Sequence, residues 1–180
     1  MAFKLTWTAC VYGAVSGWPW AGPLAAVAII AVHLAFAFDR FEELKLIVLC
    51  GLLGAALESA LIQSGLVSYF GQPIIPGSDL PPLWLLAMWF GFATLLNVSF
   101  RFLHHRLIIA AVLGLAVGPL TYLGGENLGG ITFTGDRNLA LGAIAILWAV
   151  VMPLLCWVAR QWDGYAPAGT SSIEPAGSKL

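Results

Sequence analysis

The stretch LCGLLGAALESALIQSG, residues 49–65, sets one carboxylate, Glu58, inside a run of apolar and small residues. Whether that run belongs in a soluble core or in hydrocarbon decides the fold. Of the 180 residues 60% are hydrophobic and only 9% charged, whereas a soluble domain carries about 25% charged residues. The mean hydropathy is +0.90. An ordinary soluble domain is therefore excluded, and residues 49–65 read as part of a membrane span. The formal net charge of −1 offers no basic field for nucleic acid.

A span needs about 20 mostly apolar residues, because hydrocarbon leaves no backbone polar group a solvent partner. Working outward from Glu58, six stretches qualify, at about 3–17, 20–38, 44–65, 81–101, 107–123 and 139–160. The expected fold class is all-α, a polytopic membrane helix bundle over residues 1–162 with a disordered tail from 163 to 180. With six spans, Lys4, Arg40, Lys45, Arg101, Arg106, Arg160 and Lys179 share one side, and Arg137 alone lies on the other. Basic residues collect in cytoplasmic loops. Both termini are thus expected in the cytoplasm, with the chain crossing the membrane several times.

Trp18, Trp20 and Trp84 fall near outer span ends and Trp7, Trp157 and Trp162 near inner ends, as interfacial anchors should. The loops LVSYFGQPIIPGSDL and GGENLGGITFTGDRN both face outward; they read as connectors, the alternative being a lid over an outward-facing pocket. Cys10, Cys50 and Cys156 are odd in number and dispersed through apolar runs, so they read as small core residues. WTAC, at residues 7–10, is a poor cleavage site because Trp7 stands where a small aliphatic is wanted, so the first span is expected to be retained. The final Ser-Lys-Leu matches a peroxisomal address only by letter.

Among residues in the spans, His33, Glu58, Gln63, Thr94 and Asn97 are polar. His33 and Asn97 fall at similar depths and could share a layer as an interhelical hydrogen bond worth about 0.6 kcal/mol. Glu58 lies seven residues, about 10 Å, below the outer end of its span. No Lys or Arg occupies a span core, so an ionised carboxylate there carries a large desolvation cost. Glu58 is expected to be neutral or to face a water-filled cavity, as a general acid or a proton relay. The competing reading makes it internal glue, bonded to Thr94, Tyr122 or a backbone carbonyl. Gly51, Ala55 and Ser59 form a small-residue stripe beside it, and Gly114 and Gly118 form another.

Other signals are weak. NVS at Asn97–Ser99 lies inside a span, out of reach of glycosylation. His104 and His105 beside Arg106 read as an inner-surface headgroup contact rather than a metal site. No nucleotide loop, HExxH or nucleophile elbow occurs. No cofactor or metal is expected.

In chain order, TACVYGAVSGWPWAGPLAA with HLAFAFDRFEELKL, PLWLLAMWFGFATLLNVSFRFL, GPLTYLGGENLGG and LALGAIAILWAVVMPLL resemble a family of small bacterial inner-membrane proteins, domain of unknown function 2878. The resemblance covers about Thr8 to Leu155. It implies a compact multi-pass protein with an acid at the position of Glu58, usually Asp, so that Glu here keeps the acid and moves its tip. It also implies a basic or small residue near Glu126, where GGEN departs from the pattern. Relatives beside genes for membrane fatty-acid modification imply envelope lipid chemistry.

Three functions fit these residues. One is an enzyme or accessory acting on a lipid-soluble substrate, with Glu58 as the acid and Trp89 and Tyr122 as wall residues. The second is a structural or assembly subunit held by the small-residue stripes, able to form homo- or hetero-oligomers through its helices. The third is a proton-coupled transporter, weakened by the lack of an internal repeat. His33 and Asn97 complete the candidate binding residues, and membrane lipids are the expected partners.

Overall fold

The computed structural model describes residues 2–166 and is all-α, with six helices and one short two-stranded sheet. The helices are α1 (Ala2–Val15), α2 (Ala21–Phe36), α3 (Arg40–Gln63), α4 (Leu83–Ala93), α5 (Leu107–Asn127) and α6 (Arg137–Gln161). Local chemistry fixes several boundaries. Asp39 caps α3 by accepting from the amides of Phe41 at 2.9 Å and Glu42 at 3.2 Å, and Asp136 caps α6 through Leu139 at 2.8 Å. Gly65 and Gly129 adopt positive φ, 68° and 79°, just beyond α3 and α5; each lets its helix stop and the chain turn.

Those two turns deliver strands that pair with each other. β1 (Val67–Tyr69) and β2 (Ile131–Phe133) are antiparallel, with Val67 opposite Phe133, Ser68 opposite Thr132 and Tyr69 opposite Ile131. The two long loops read as connectors are therefore tied together over one end of the bundle, the sheet end. The other end carries Asp39, the 3-10 turn Arg101–Leu103 and the residues after α6.

α3, α5 and α6 are long and apolar enough to cross a membrane, whereas α1, α2 and α4 have 14, 16 and 11 residues. The span expected at 81–101 is the most altered. Its α-helix ends at Ala93, about 16 Å long, where the Thr94 hydroxyl donates to the Gly91 carbonyl at 2.7 Å and competes with the helical ladder. The chain continues through turns to the 3-10 segment. Leu24, Val27, Ile108, Val112, Ile146 and Val150 are exposed on α2, α5 and α6, an apolar exterior suited to lipid.

Glycines set the helix contacts. A Cβ on Gly22 of α2 would meet Cys10 of α1; on Gly51 or Gly54 of α3 it would meet Phe90 or Trp89 of α4; on Gly114 or Gly118 of α5 it would meet Trp148 of α6. Close approach through small residues is how helices gain packing where burial against lipid supplies little drive. Both expected stripes are thus packing surfaces, although α3 uses Gly51 and Gly54 where Gly51, Ala55 and Ser59 were expected. Cys10, Cys50 and Cys156 are free and buried.

Two expected interfacial residues are interior. Trp84 is 3% exposed and donates from Nε1 to the Phe70 carbonyl at 2.8 Å. His104 is 4% exposed, its Nε2 3.0 Å from the Leu96 carbonyl, so it packs the turn after α4 and makes no headgroup contact. Burial lowers its pKa below the usual histidine value.

Candidate functional site

Glu58 is 2% exposed and receives three side-chain hydrogen bonds from three different elements. Trp89 of α4 donates from Nε1 to Oε1 at 2.8 Å. The Tyr122 hydroxyl of α5 donates to the same oxygen at 2.9 Å. The Tyr69 hydroxyl of β1 donates to Oε2 in a short contact. The carboxyl thus joins α3, α4, α5 and the two-stranded sheet at one point. Its partners are all neutral hydrogen-bond donors, and no Lys or Arg is among them.

A chain of aromatic and glycine contacts positions Trp89. Its indole lies over Gly54 on one side and stacks on Trp148 on the other, with centroids 5.2 Å apart and planes 17° apart. Trp148 in turn fills the space left by Gly114 and Gly118. Offset stacking of this kind adds about 0.5–1.5 kcal/mol beyond burial. Four helices therefore hold the indole N–H on the acid, and none of the glycines can carry a side chain without displacing it.

Glu58, Tyr69, Trp89 and Tyr122 line a cavity of about 620 Å³, within the roughly 300–1,000 Å³ usual for small-molecule sites. The remaining wall is almost wholly apolar, including Trp7, Met88, Phe92, Val117 and Ile131. Burial, followed by the neighbouring Glu58 carboxylate, pushes the Tyr69 hydroxyl well above the usual tyrosine range, so Tyr69 keeps its proton and remains a donor. The site offers a buried acid and two phenols at the end of a greasy pocket, an arrangement that can hold a polar group of an otherwise apolar molecule and exchange a proton with it.

A second buried acid lies at the opposite end of α3. Glu43 is 0% exposed; His33 Nε2 lies 2.7 Å from its Oε2, and its Oε1 accepts from Asn97 Nδ2 at 2.6 Å and from the Gly164 amide at 2.9 Å. The Tyr165 hydroxyl donates to the His33 carbonyl at 2.6 Å, and Arg101 pairs with Asp163 at 2.5 Å. Burial, then Glu43, raises the Tyr165 hydroxyl above its ordinary range. Residues 163–166 are packed here; the rest of the tail lies outside the described residues.

The five sequence candidates thus separate into two groups. Glu58, Trp89 and Tyr122 come together, while His33 and Asn97 share a layer around Glu43 and take no part in the Glu58 site. Of the glue partners expected for Glu58, Tyr122 is present and Thr94 is not, its hydroxyl being bonded to Gly91. Sequence reasoning missed Tyr69, in a loop, and Glu43, within the charged run DRFEE. Glu43 was detectable: with Leu46, Ile47, Cys50, Gly54, Glu58 and Leu61 it falls on the buried face of α3 at three- and four-residue spacing. Glu126, which departs from the expected pattern, pairs with Arg137 at 2.7 Å.

The family described as "Protein of unknown function (DUF2878)" matches residues 1–154, a range that includes both buried acids and all five candidate residues. The chain belongs to that family. No curated protein and no solved structure matches it.

Proposed function

We propose that this member of DUF2878 is a multi-pass protein of the bacterial inner membrane that binds a lipid-soluble molecule and acts on it, or presents it, in envelope lipid metabolism. Glu58 is the proton-handling group, and Trp89 and Tyr122 are wall residues that also orient it. The observation that carries this reading is the opening of a buried, triply hydrogen-bonded carboxyl onto an apolar cavity of about 620 Å³. A buried acid in such surroundings is by default a functional group. The charge distribution supports an orientation with both termini and the Glu43 end in the cytoplasm and the two-stranded sheet outside, since seven of the eight Lys and Arg fall on the first side.

The test is an untargeted comparison of membrane lipids in cells lacking the protein, complemented with wild type or with Glu58→Gln at matched abundance. Loss of a lipid species that wild type restores and Glu58→Gln does not is the expected result. Full restoration by Glu58→Gln would reject the role of the acid.

A second reading, an assembly subunit, draws on the same hydrogen bonds, because Trp89, Tyr122 and Tyr69 engage Glu58 from within the chain and the glycine contacts join the helices in pairs. On that reading Gly114→Leu abolishes function and Glu58→Gln does not. His33 and Asn97 then serve, on either reading, to anchor the chain after α6 on Glu43.

A further inference from the structure

The cavity has two chemically different ends. At one are Glu58, Tyr69 and Tyr122; at the other is Lys4, the one cation among its lining residues. The placement of Lys4 follows from its neighbours. Val11, two turns along α1, meets Gly130 beside β2, whereas Phe3 packs on Phe92 at 5.7 Å and Phe92 on Phe100 at 6.0 Å, toward the 3-10 turn. Lys4 is exposed and makes no ion pair among the described residues. Along α5 the lining runs from Leu113 through Val117 and Thr121 to Gly125, twelve residues or about 18 Å of helix.

An elongated apolar slot with a free ammonium at its mouth and a buried acid at its far end selects an amphiphile by both charge and length. We infer that the occupant is a lipid with one long hydrocarbon chain and an anionic head, the head on Lys4 and the chain extending to Glu58. This inference rests on the lipid-binding reading above and deepens it: the group that Glu58 meets lies along or at the end of the chain, far from the head. The volume suits one chain better than a two-chain phospholipid, which would exceed a site in the small-molecule range. A lysine at the mouth can keep its ammonium in the interfacial layer while its stem lies along the slot.

Four tryptophans, Trp7, Trp84, Trp89 and Trp148, line the cavity and supply the readout. The purified full-length protein in detergent is titrated with dibromostearate, whose bromines quench indole fluorescence on contact, and with its methyl ester. The expected result is saturable quenching by the acid that unlabelled palmitate, hexadecyl phosphate or both displace; which one does so identifies the head as carboxylate or phosphate. Lys4→Gln should weaken binding of the acid by about fivefold, the scale of one partly exposed ion pair, and leave the ester unchanged. Val117→Phe, which narrows the slot, should weaken both.

Displacement by neither anion, or equal loss of acid and ester in Lys4→Gln, would overturn the assignment. The two proposals can fail separately. Binding without a Glu58-dependent lipid change removes the proposed chemistry and keeps the occupant; a Glu58-dependent change without anion binding does the reverse.

Discussion

Glu43 and Glu58 stand fifteen residues apart on α3, hence about 22 Å along its axis, and are buried at 0% and 2% exposure. One helix therefore carries a carboxyl at each end of the bundle, and the two have different company. Glu43 touches a histidine, an asparagine side chain and a backbone amide supplied by the segment after α6. Glu58 touches an indole and two phenols and opens on the cavity. The first arrangement closes a seam; the second leaves room for a molecule.

Replacing Glu58 should separate chemistry from packing. In Glu58→Gln the amide keeps one acceptor and brings a donor toward the tyrosines, which can rotate their hydroxyls to accept it, so the loss of stability should be about 1–2 kcal/mol. In Glu58→Leu the Trp89 indole N–H and both phenols lose their acceptor, each at about 1–3 kcal/mol. Thermal melts of the purified variants should rank wild type, Gln and Leu in that order. A Leu variant as stable as wild type would remove the hydrogen-bond cluster from the account.

Glu43→Leu should be more damaging to the fold than Glu58→Gln. It strands His33, Asn97 and the Gly164 amide together, and breaking one partner of a buried polar pair costs about 3–5 kcal/mol. The segment after α6 should become accessible to protease in this variant while α3 stays intact. Limited proteolysis with mass mapping of the first cut reads the result directly.

Glycine substitutions should differ sharply by position. A Cβ on Gly114 meets the Trp148 carbonyl and the Met152 side chain, whereas one on Gly142 of α6 meets nothing within 4 Å. Gly114→Ala is therefore expected to cost about 1–3 kcal/mol through overpacking, and Gly142→Ala to be neutral or stabilising by up to about 1 kcal/mol, since alanine is the better helix former. Equal melting temperatures for the two variants would contradict the α5–α6 packing.

Much of this architecture was legible from hydropathy and small-residue spacing. The six helices follow from apolar length, the α5–α6 seam from Gly114 and Gly118, and the His33–Asn97 layer from depth counted along two spans. Three features were hidden. The β1–β2 pairing joins residues more than sixty positions apart in loops whose composition signals only turns. α4 stops early because Thr94 bonds its own helix, a competition that an apolar sequence does not reveal. Trp84 and His104 look interfacial by position, yet tertiary packing supplies each with a carbonyl acceptor inside the protein.

The buried state of His104 predicts a pH dependence of stability. Its imidazole has a lowered pKa in the fold because burial disfavours the charged form, an effect that outweighs the Leu96 carbonyl and Asp163, which favour it, while Arg101 and His105 add to the lowering. The unfolded chain regains the ordinary value of about 6.5 and so binds a proton first as pH falls. Stability from this residue is fully present above pH about 6.5 and is lost as pH drops from there through the lower native value. Melting temperatures measured from pH 7.5 to 5.5 should fall in the wild type and fall less in His104→Gln, whose side-chain amide does not titrate. An equal slope in both proteins would show that His104 does not carry the acid sensitivity.

The β1–β2 pairing offers a test that reads fold and orientation together. Ser68 and Thr132 face each other across β1 and β2, where opposed Cα atoms lie about 5 Å apart, within the span a disulfide bridges. The three native cysteines are buried and so do not compete. Ser68→Cys with Thr132→Cys should cross-link in intact cells, because the proposed outward position places the pair on the oxidising side of the inner membrane. Single-cysteine variants should not. The double variant should also react with a membrane-impermeant maleimide only after reduction. If it stays reduced in cells yet cross-links when the purified protein is oxidised, the strand pairing holds and the orientation is reversed. If it cross-links in neither setting, the two loops are not paired and Tyr69 has no scaffold to hold it on Glu58.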